Sequence, residues 1–177
     1  MDGSRLSNAA AHLGTSLAGI TSEVGVDVLS LGGTKNGLLG AEAVLALNPA
    51  AVPGLTYLRK TNMQLGSKMR FVSAQLTALY EADLWLRSAS HANAMAARLR
   101  IGLEKLVTEG RGKGITLPFA TQSNVVFASL PDTTKARAHA ALHFYDWPGD
   151  PTLVRLMCSF DTTEQDVDTL LTVIAGE

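Results

Sequence analysis

The sequence predicts an α/β fold, because a short buried strand, two long helical stripes and a final strand-and-helix segment follow one another along the chain. Val24–Gly33 is rich in Val and Leu and ends in a glycine pair, which indicates a buried strand running into a loop. A second, smaller α/β layer follows later in the chain. We therefore expect two parts, residues 1–80 and 81–177, with the boundary near Glu81.

Two helices are predicted in the middle of the chain, after a loop marked by Asn48-Pro49 and Pro53-Gly54. Apolar residues recur at helical spacing from Leu65 to Leu79, which predicts a helix of about four turns. A second stripe predicts a helix from about Leu84 to Leu106, ended by the glycine-rich turn at residues 110–114. The apolar face of that second helix comprises Ala92, Met95, Leu99, Leu103 and Leu106.

The last part of the chain predicts two strands and a closing helix. The strands are expected at Val125–Ala128 and Leu153–Phe160. Asp161, followed three residues later by Glu164, predicts the start of the helix, with Asp161 as its capping residue. The predicted buried face of this helix comprises Val167, Leu170, Leu171 and Ile174.

Charge and composition exclude several classes of partner. Fifteen basic and sixteen acidic residues give a net charge of -1, and no dense basic patch offers a surface for nucleic acid or an anionic membrane. No apolar run approaches the ~20 residues of a membrane span, and no signal peptide is recognisable. Cys158 is the only cysteine and lies in an apolar run, so we expect a buried structural thiol and a cytoplasmic protein.

Lys35 is the first candidate for chemistry, because it stands just beyond the end of the first predicted strand. Ligands of open α/β sheets bind outside the carboxyl ends of the strands. In Gly32-Gly33-Thr34-Lys35-Asn36-Gly37 the lysine has the rigid, tight-turn setting that a Schiff-base lysine needs. The alternative is a surface lysine among permissive glycines, and the spacing of a P-loop is absent.

Asp2 and Arg5 are two further candidates for chemistry. An enzyme that uses pyridoxal phosphate needs a carboxylate against the pyridine nitrogen of the cofactor, and Asp2 can supply it. Arg5 can reach the phenolate oxygen of the ring or a substrate carboxylate, since a guanidinium suits planar pairs of oxygens. Taken alone, Asp-Gly-x-Arg is also a common turn with a solvated arginine.

Several separated motifs, taken in order, resemble those of the low-specificity threonine aldolase and β-eliminating lyase family, over nearly the whole chain. The motifs are Asp2-Gly3-Ser4-Arg5-Leu6, Gly25-Val26-Asp27-Val28-Leu29-Ser30, Gly33-Thr34-Lys35-Asn36-Gly37, Arg59-Lys60, Ser67-Lys68-Met69-Arg70-Phe71, His91-Ala92-Asn93-Ala94-Met95-Ala96 and the segment from Val154 to Thr163. The resemblance implies part of a large domain of the pyridoxal-phosphate-dependent transferase fold (fold type I) in residues 1–80, followed by a small C-terminal α/β domain in residues 81–177.

The resemblance also implies an activity and partners. Members of this family are pyridoxal phosphate enzymes that cleave the Cα–Cβ bond of threonine-like amino acids to glycine and an aldehyde, and they form homo-oligomers. Another pyridoxal phosphate reaction, such as β-elimination or transamination, is the nearest alternative, because fold and cofactor anchors are shared between these chemistries. A non-catalytic fragment is the alternative from a different class.

Five residues receive roles from the resemblance. Lys35 resembles the lysine that bonds the cofactor, Asp2 the partner of the pyridine nitrogen, and Arg5 a contact to the ring oxygen or the substrate carboxylate. Arg155 resembles the arginine that pairs with the α-carboxylate of the substrate, the alternative being a strand arginine that faces water. Arg70 resembles the arginine that reaches the cofactor phosphate of a neighbouring subunit, a role that Lys60 or Lys68 could share.

Two features depart from the family pattern. The family has Asp-Gly-x-Arg in the middle of its chain, usually with a histidine two places before the aspartate, whereas Met1 directly precedes Asp2 here. We therefore expect the phosphate-binding turn and the ring-stacking histidine to lie outside this chain. Ser4 stands where the family commonly has alanine. The histidines of the chain, none of which matches the stacking position, are His12, His91, His139 and His143.

Overall fold

The computed structural model describes residues 1–177, which divide into two compact units, Met1–Ala89 and Ser90–Glu177. The division falls inside one long helix, Leu84–Thr108. Each unit contains its own sheet of three strands. The domain boundary expected near Glu81 stays a prediction.

The first unit contains a mixed sheet with the strand order β1-β2-β3. Strand β1 runs parallel to β2, with Asp2 opposite Ser30, and β3 pairs with β2 in the antiparallel direction. The elements are β1 (Asp2–Gly3), α1 (Leu6–Leu13), β2 (Val28–Gly32), β3 (Glu42–Ala46), α2 (Leu55–Thr61), α3 (Arg70–Tyr80) and the beginning of α4 (Leu84–Thr108). The predicted buried strand is confirmed in β2, but it begins only at Val28 because Ser22–Val24 form a 3-10 turn.

The core of the first unit lies between α1 and the sheet. Leu29 and Leu31 are buried and alternate along β2 with the exposed Ser30, as expected for a strand with one face against a core. Leu6 of α1 packs against both leucines. Partly buried residues that complete this cluster are Leu17, Ile20, Ala43, Leu45, Leu47 and Tyr80.

Helix α3 is shorter than predicted. The apolar stripe placed its start near Leu65, whereas the helix begins at Arg70 and Leu65 is 46% exposed. Met63 adopts a φ of 58°, which leaves the right-handed helical region, and Gly66 disfavours a helix through the freedom of its backbone. A turn therefore occupies the first part of the predicted stripe.

The second unit combines the remainder of α4 with an antiparallel sheet of strand order β4-β6-β5. Its further elements are β4 (Val125–Ser129), α5 (Asp132–Ala141), β5 (Tyr145–Trp147), β6 (Asp150–Met157) and α6 (Glu164–Ala175). The predicted helix over Leu84–Leu106 and its apolar face are confirmed, since that face is buried in the core of this unit or at its edge. The largest fully buried side chains of the second unit are Leu99, Leu103, Leu130, Ile174, Val126 and Val154.

The predicted cap of the closing helix is wrong by two residues. Thr163 is the capping residue: its hydroxyl oxygen accepts the Asp166 backbone N–H at 3.1 Å, and Asp166 Oδ2 accepts the Thr163 backbone N–H at 2.8 Å. This reciprocal pair is a capping box. It is formed by Thr163 and Asp166, whereas the prediction was Asp161 and Glu164. The Asp161 carboxylate instead accepts a hydrogen bond from the Ser159 hydroxyl.

Cys158 is a buried structural cysteine, as predicted. Its side chain is 3% exposed and belongs to the apolar core of the second unit. Burial raises the pKa of the thiol to about 11, so the thiolate needed for nucleophilic chemistry is scarce at neutral pH. Separately, no helix of the chain combines the length and the apolar character that a membrane crossing requires.

Candidate active site

The candidate site of the first unit lies where β1 and β2 end. Because these two strands are parallel, their carboxyl ends meet at the same edge of the sheet. Strand β1 ends at Gly3 and is followed by Ser4 and Arg5, while β2 ends at Gly32 and is followed by the turn with Lys35. Asp2 and its strand partner Ser30 are far apart in the sequence, so the pairing of β1 with β2 makes neighbours of two separate sequence motifs.

Glycine allows the two strand ends to approach closely. A Cβ atom at Gly32 would lie 2.8 Å from the Ser4 Cα, and a Cβ atom at Gly3 would lie 2.8 Å from the Ser30 carbonyl oxygen. Both distances are shorter than van der Waals contact, and both atoms belong to the backbone. A side chain at Gly32 would therefore push against the Ser4 backbone, and one at Gly3 would push against the Ser30 backbone and the Leu29 side chain.

The turn that carries Lys35 is fixed on both sides. Thr34–Asn36 form a 3-10 turn, and the buried Asn36 side chain donates a hydrogen bond of 3.1 Å to the Trp85 carbonyl oxygen in the first turn of α4. The Thr34 backbone N–H donates to Glu42 Oε1 at 3.3 Å. The Lys35 side chain itself is exposed, so a rigid backbone presents a solvent-accessible amine.

Asp2 is an ionised carboxylate at neutral pH. Its Oδ1 accepts hydrogen bonds from the Ser4 hydroxyl and from the Ser4 backbone N–H, the latter at 2.9 Å. These two bonds are the largest causes that lower the pKa of Asp2, and the positive charges of Lys35 and Arg5 lower it further. The charges of Lys35 and Arg5 thus act on the Asp2 carboxylate, and the assignment of the three residues to one site stays a prediction.

This set of groups fits pyridoxal phosphate. Asp2 offers a carboxylate for a protonated ring nitrogen, Lys35 a primary amine for the aldehyde, and Arg5 a guanidinium for an oxygen of the ring or of a substrate. Gly3 and Gly32 let the two strands that carry these groups approach closely. The residues present are therefore compatible with the cofactor.

Arg70 lies on a different element, helix α3. It is the first residue of that helix, it is exposed, and its guanidinium carbon lies 4.9 Å from the centroid of the Phe71 ring. Lys60 and Lys68, the alternative candidates for a phosphate contact, are exposed as well.

Arg155 belongs to the second unit and lies on the central strand β6. It is half-buried and stands opposite Phe127 of β4 on one side and Tyr145 of β5 on the other. Side chains of directly paired residues share one face of a sheet, so the guanidinium is flanked by two aromatic residues. Phe127 in turn makes edge contacts with Trp147 at 5.0 Å between ring centroids and with Phe119 at 5.7 Å.

Sequence reasoning missed the neighbours that hold these candidates in place. The contact of Ser4 with Asp2 has a local signal, since a serine two residues after an aspartate often bonds to its carboxylate. Asn36 and Trp85 are 49 positions apart, and their hydrogen bond has no local signal. The aromatic neighbours of Arg155 follow from strand register, which the sequence pattern of three short strands does not determine.

Comparison with solved structures defines the fold class. The threonine aldolase of Leishmania major superposes with a TM-score of 0.83 at 29% identity, over 98% of this chain and 49% of that chain. A lysine aminotransferase from M. tuberculosis, in its internal aldimine form, superposes with a TM-score of 0.53 at 18% identity, over 99% of this chain and 40% of that chain. The chain thus has the fold of part of a fold type I pyridoxal-phosphate-dependent enzyme.

Comparison of sequences identifies the family. The family model described as beta-eliminating lyase matches residues 1–129, and the chain belongs to this family. A low specificity L-threonine aldolase of a Pseudomonas species is 40% identical over 168 residues, which cover 94% of this chain and 46% of the relative. That of Pseudomonas aeruginosa is 42% identical over 163 residues, 92% of this chain and 45% of the relative. The chain spans about half the length of these relatives, and the predicted resemblance is confirmed.

Proposed function

We propose that this chain carries the lysine-bearing part of a pyridoxal-phosphate-dependent lyase that cleaves the Cα–Cβ bond of threonine-like β-hydroxy-α-amino acids. The products would be glycine and an aldehyde. The observation that carries the proposal is the placement of Asp2 and Lys35 at the carboxyl ends of the adjacent parallel strands β1 and β2. Membership of the beta-eliminating lyase family and the similarity to threonine aldolases support it.

Each of the three candidate residues of the first unit has a distinct proposed role. When bound, pyridoxal phosphate supplies a protonated ring that draws off the electron pair left by the broken bond at Cα. Asp2 would hold the proton on the ring nitrogen, for which its lowered pKa is suited. Lys35 would supply the amine that bonds the cofactor aldehyde, and Arg5 would contact the ring oxygen or the substrate carboxylate.

Two further arginines complete the proposal. In the second unit, Arg155 would pair with the substrate α-carboxylate, and the flanking Phe127 and Tyr145 would restrict the directions in which its guanidinium can point. Holding the substrate carboxylate fixes the orientation of the breaking bond, which is a positioning contribution. Arg70, or alternatively Lys60 or Lys68, would contact the cofactor phosphate of a neighbouring subunit.

A direct assay tests this function. The chain is incubated with pyridoxal phosphate and L-threonine, and glycine and acetaldehyde are quantified over time, with the Lys35→Ala variant and a variant of the exposed Lys113, Lys113→Ala, in parallel. We expect equal amounts of the two products from the chain and from Lys113→Ala, and none from Lys35→Ala. Release of product that persists in Lys35→Ala contradicts the assignment.

β-Elimination is the second candidate, and the description of the matching family favours it. With L-serine as substrate, β-elimination releases pyruvate and ammonia, whereas retro-aldol cleavage releases glycine and formaldehyde. Measuring all four products in one incubation separates the two reactions. Pyruvate as the main product would replace the aldolase assignment with an elimination.

We propose that the complete protein is a homo-oligomer and that it is located in the cytoplasm. The proposal follows from the family and from the role suggested for Arg70, which requires a neighbouring subunit. Sedimentation velocity of the purified protein over a range of concentrations measures the subunit number. A monomer at every concentration would contradict the proposed oligomer and with it a phosphate contact across subunits.

A further inference from the structure

The carboxylate of Asp2 is held by one of its two oxygens. The Ser4 backbone N–H donates to Oδ1 at 2.9 Å, and the Ser4 hydroxyl donates to the same oxygen. Neither of these bonds uses Oδ2. A carboxylate anchored through one oxygen cannot rotate freely, so the direction of its second oxygen is set by the residue that provides the anchor.

The backbone that provides this anchor is itself fixed by the sheet. Asp2 and Gly3 pair with Ser30 and Leu31 of β2, and Gly32 packs so closely on Ser4 that a Cβ atom there would lie 2.8 Å from the Ser4 Cα. Ser4 therefore has little room to move relative to the end of β2. The orientation of the Asp2 carboxylate is thus tied to the same strand end that carries Lys35.

We propose that Ser4 is a positioning residue that anchors Oδ1 of Asp2 and leaves Oδ2 for the protonated ring nitrogen of pyridoxal phosphate. The inference rests on the proposed function for the identity of the cofactor. Ser4 acts through Asp2 and does not itself touch the cofactor. Its hydrogen bonds to Asp2 orient the carboxylate, and they also stabilise the negative charge of that carboxylate.

The effect on charge follows from the chemistry of a shared proton. A proton between a carboxylate and a pyridine nitrogen stays on the more basic of the two groups. Hydrogen bonds donated to a carboxylate stabilise its charged form and make it less basic. The lowered pKa of Asp2, whose largest cause is the Ser4 hydroxyl, supports this reading of the geometry. Ser4 therefore keeps the proton on the ring nitrogen.

The first test concerns the carboxylate alone and needs no cofactor. The ¹³C chemical shift of the Asp2 side-chain carboxyl, assigned with an Asp2→Asn variant, is followed against pH in the cofactor-free chain. We expect the titration midpoint to rise in Ser4→Ala and to stay unchanged in Ser4→Thr, which keeps the hydroxyl. Ser16→Ala is the control, because the Ser16 hydroxyl also makes a local hydrogen bond, in which it accepts the Gly19 backbone N–H at 3.0 Å.

The second test concerns the cofactor. The dissociation constant of pyridoxal phosphate, measured from the absorbance of the bound form, should rise about three- to tenfold in Ser4→Ala, as expected for one lost hydrogen bond. Ser4→Thr and Ser16→Ala should bind as the unchanged chain does. An unchanged Asp2 midpoint or an unchanged affinity in Ser4→Ala overturns the inference. A raised midpoint in a chain that binds no pyridoxal phosphate supports the anchor and overturns the proposed function instead.

Discussion

At the scale of single residues, Gly32 determines how closely the ends of β1 and β2 approach each other. Its missing side chain lets the backbone of Ser4 pass at a distance that no Cβ atom would tolerate. The Asp2 carboxylate and the turn with Lys35 both depend on that approach, since Asp2 precedes Ser4 by two residues and the turn follows Gly32. A methyl group at this position therefore tests the geometry of the site.

Gly32→Ala is expected to destabilise the chain by about 1–3 kcal/mol, the usual cost of forcing a methyl group into a packed position. The obstructing atom is the Ser4 Cα at 2.8 Å, which can give way only if the strand moves. Gly66→Ala is the matched control, because a Cβ atom there would meet only the flexible Met69 sulfur at 3.5 Å. Urea unfolding measures both free energies. Equal stability of the two variants would show that the strand ends are not closely packed.

At the scale of single elements, Thr163 and Asp166 determine where α6 begins. Their reciprocal hydrogen bonds satisfy two backbone N–H groups, those of Thr163 and Asp166, that the first turn of a helix leaves without partners. The first buried residue of the helix, Val167, follows directly and packs into the core of the second unit. The cap therefore sets the position from which the helix buries its apolar face.

Thr163→Ala should lower the free energy of unfolding by about 1 kcal/mol at neutral pH, as is typical for the loss of a capping side chain. Asp161→Ala, which alters the residue that the sequence pattern favoured as the cap, should cost less. Urea unfolding of both variants distinguishes the two positions. A larger effect of Asp161→Ala would contradict the cap at Thr163.

The stabilisation by this cap should depend on pH. The Thr163 hydroxyl and backbone N–H lower the pKa of Asp166, so the bond stabilises the folded chain above the ordinary carboxyl pKa near ~4 and is lost as the pH falls through the lowered value. The difference in unfolding free energy between the chain and Thr163→Ala should therefore shrink between about pH 7 and about pH 2. A difference that stays constant across this range would contradict the contribution of the Asp166 charge.

Elements with a strong period were predictable from the sequence, and elements without one were not. Helix α4 repeats apolar residues over its second half, and Val125–Ala128 is an uninterrupted apolar run, so both elements were predictable and both are confirmed. Helix α5 buries only Ala138, and all three residues of β5 are exposed, so neither has an apolar pattern to detect. Their positions depend on contacts that form only in the folded chain.

The candidate site shows the same contrast. Asp2, Arg5 and Lys35 were proposed from the order of their motifs, and the parallel pairing of β1 with β2 makes the segments that carry them neighbours. The pairing itself was not predictable, because β1 contains two residues and has no period of its own. The two aromatic neighbours of Arg155 depend likewise on the register of β6. Their roles in catalysis stay predictions.

Two separate apolar clusters stabilise the whole molecule, one in each compact unit. The cluster of the second unit is the larger, and α4 contributes five of its buried residues: Met95, Ala96, Leu99, Leu103 and Leu106. The first unit, which carries the candidate cofactor residues, has only three fully buried members in its cluster. We infer that the stability of the second unit rests mainly on the apolar face of α4.

Leu103→Ala should lower the free energy of unfolding by about 2–5 kcal/mol, because the leucine is 0% exposed and its removal leaves a cavity. Ile101 lies on the same helix two positions earlier and is 64% exposed, so Ile101→Ala should change stability by less than about 0.5 kcal/mol. Thermal and urea unfolding of the two variants provide the comparison. Similar losses for both would show that the stripe on α4 does not face the core as described.

The central claim is that Lys35 bonds pyridoxal phosphate, and chemical trapping tests it most directly. The chain is mixed with the cofactor and reduced with borohydride, and the modified peptides are identified by mass spectrometry, beside Lys35→Ala and the exposed-lysine control Lys113→Ala. We predict a single phosphopyridoxyl adduct at Lys35, retained in Lys113→Ala and absent from Lys35→Ala. Labelling scattered over many surface lysines, or no labelling at Lys35, would contradict the account.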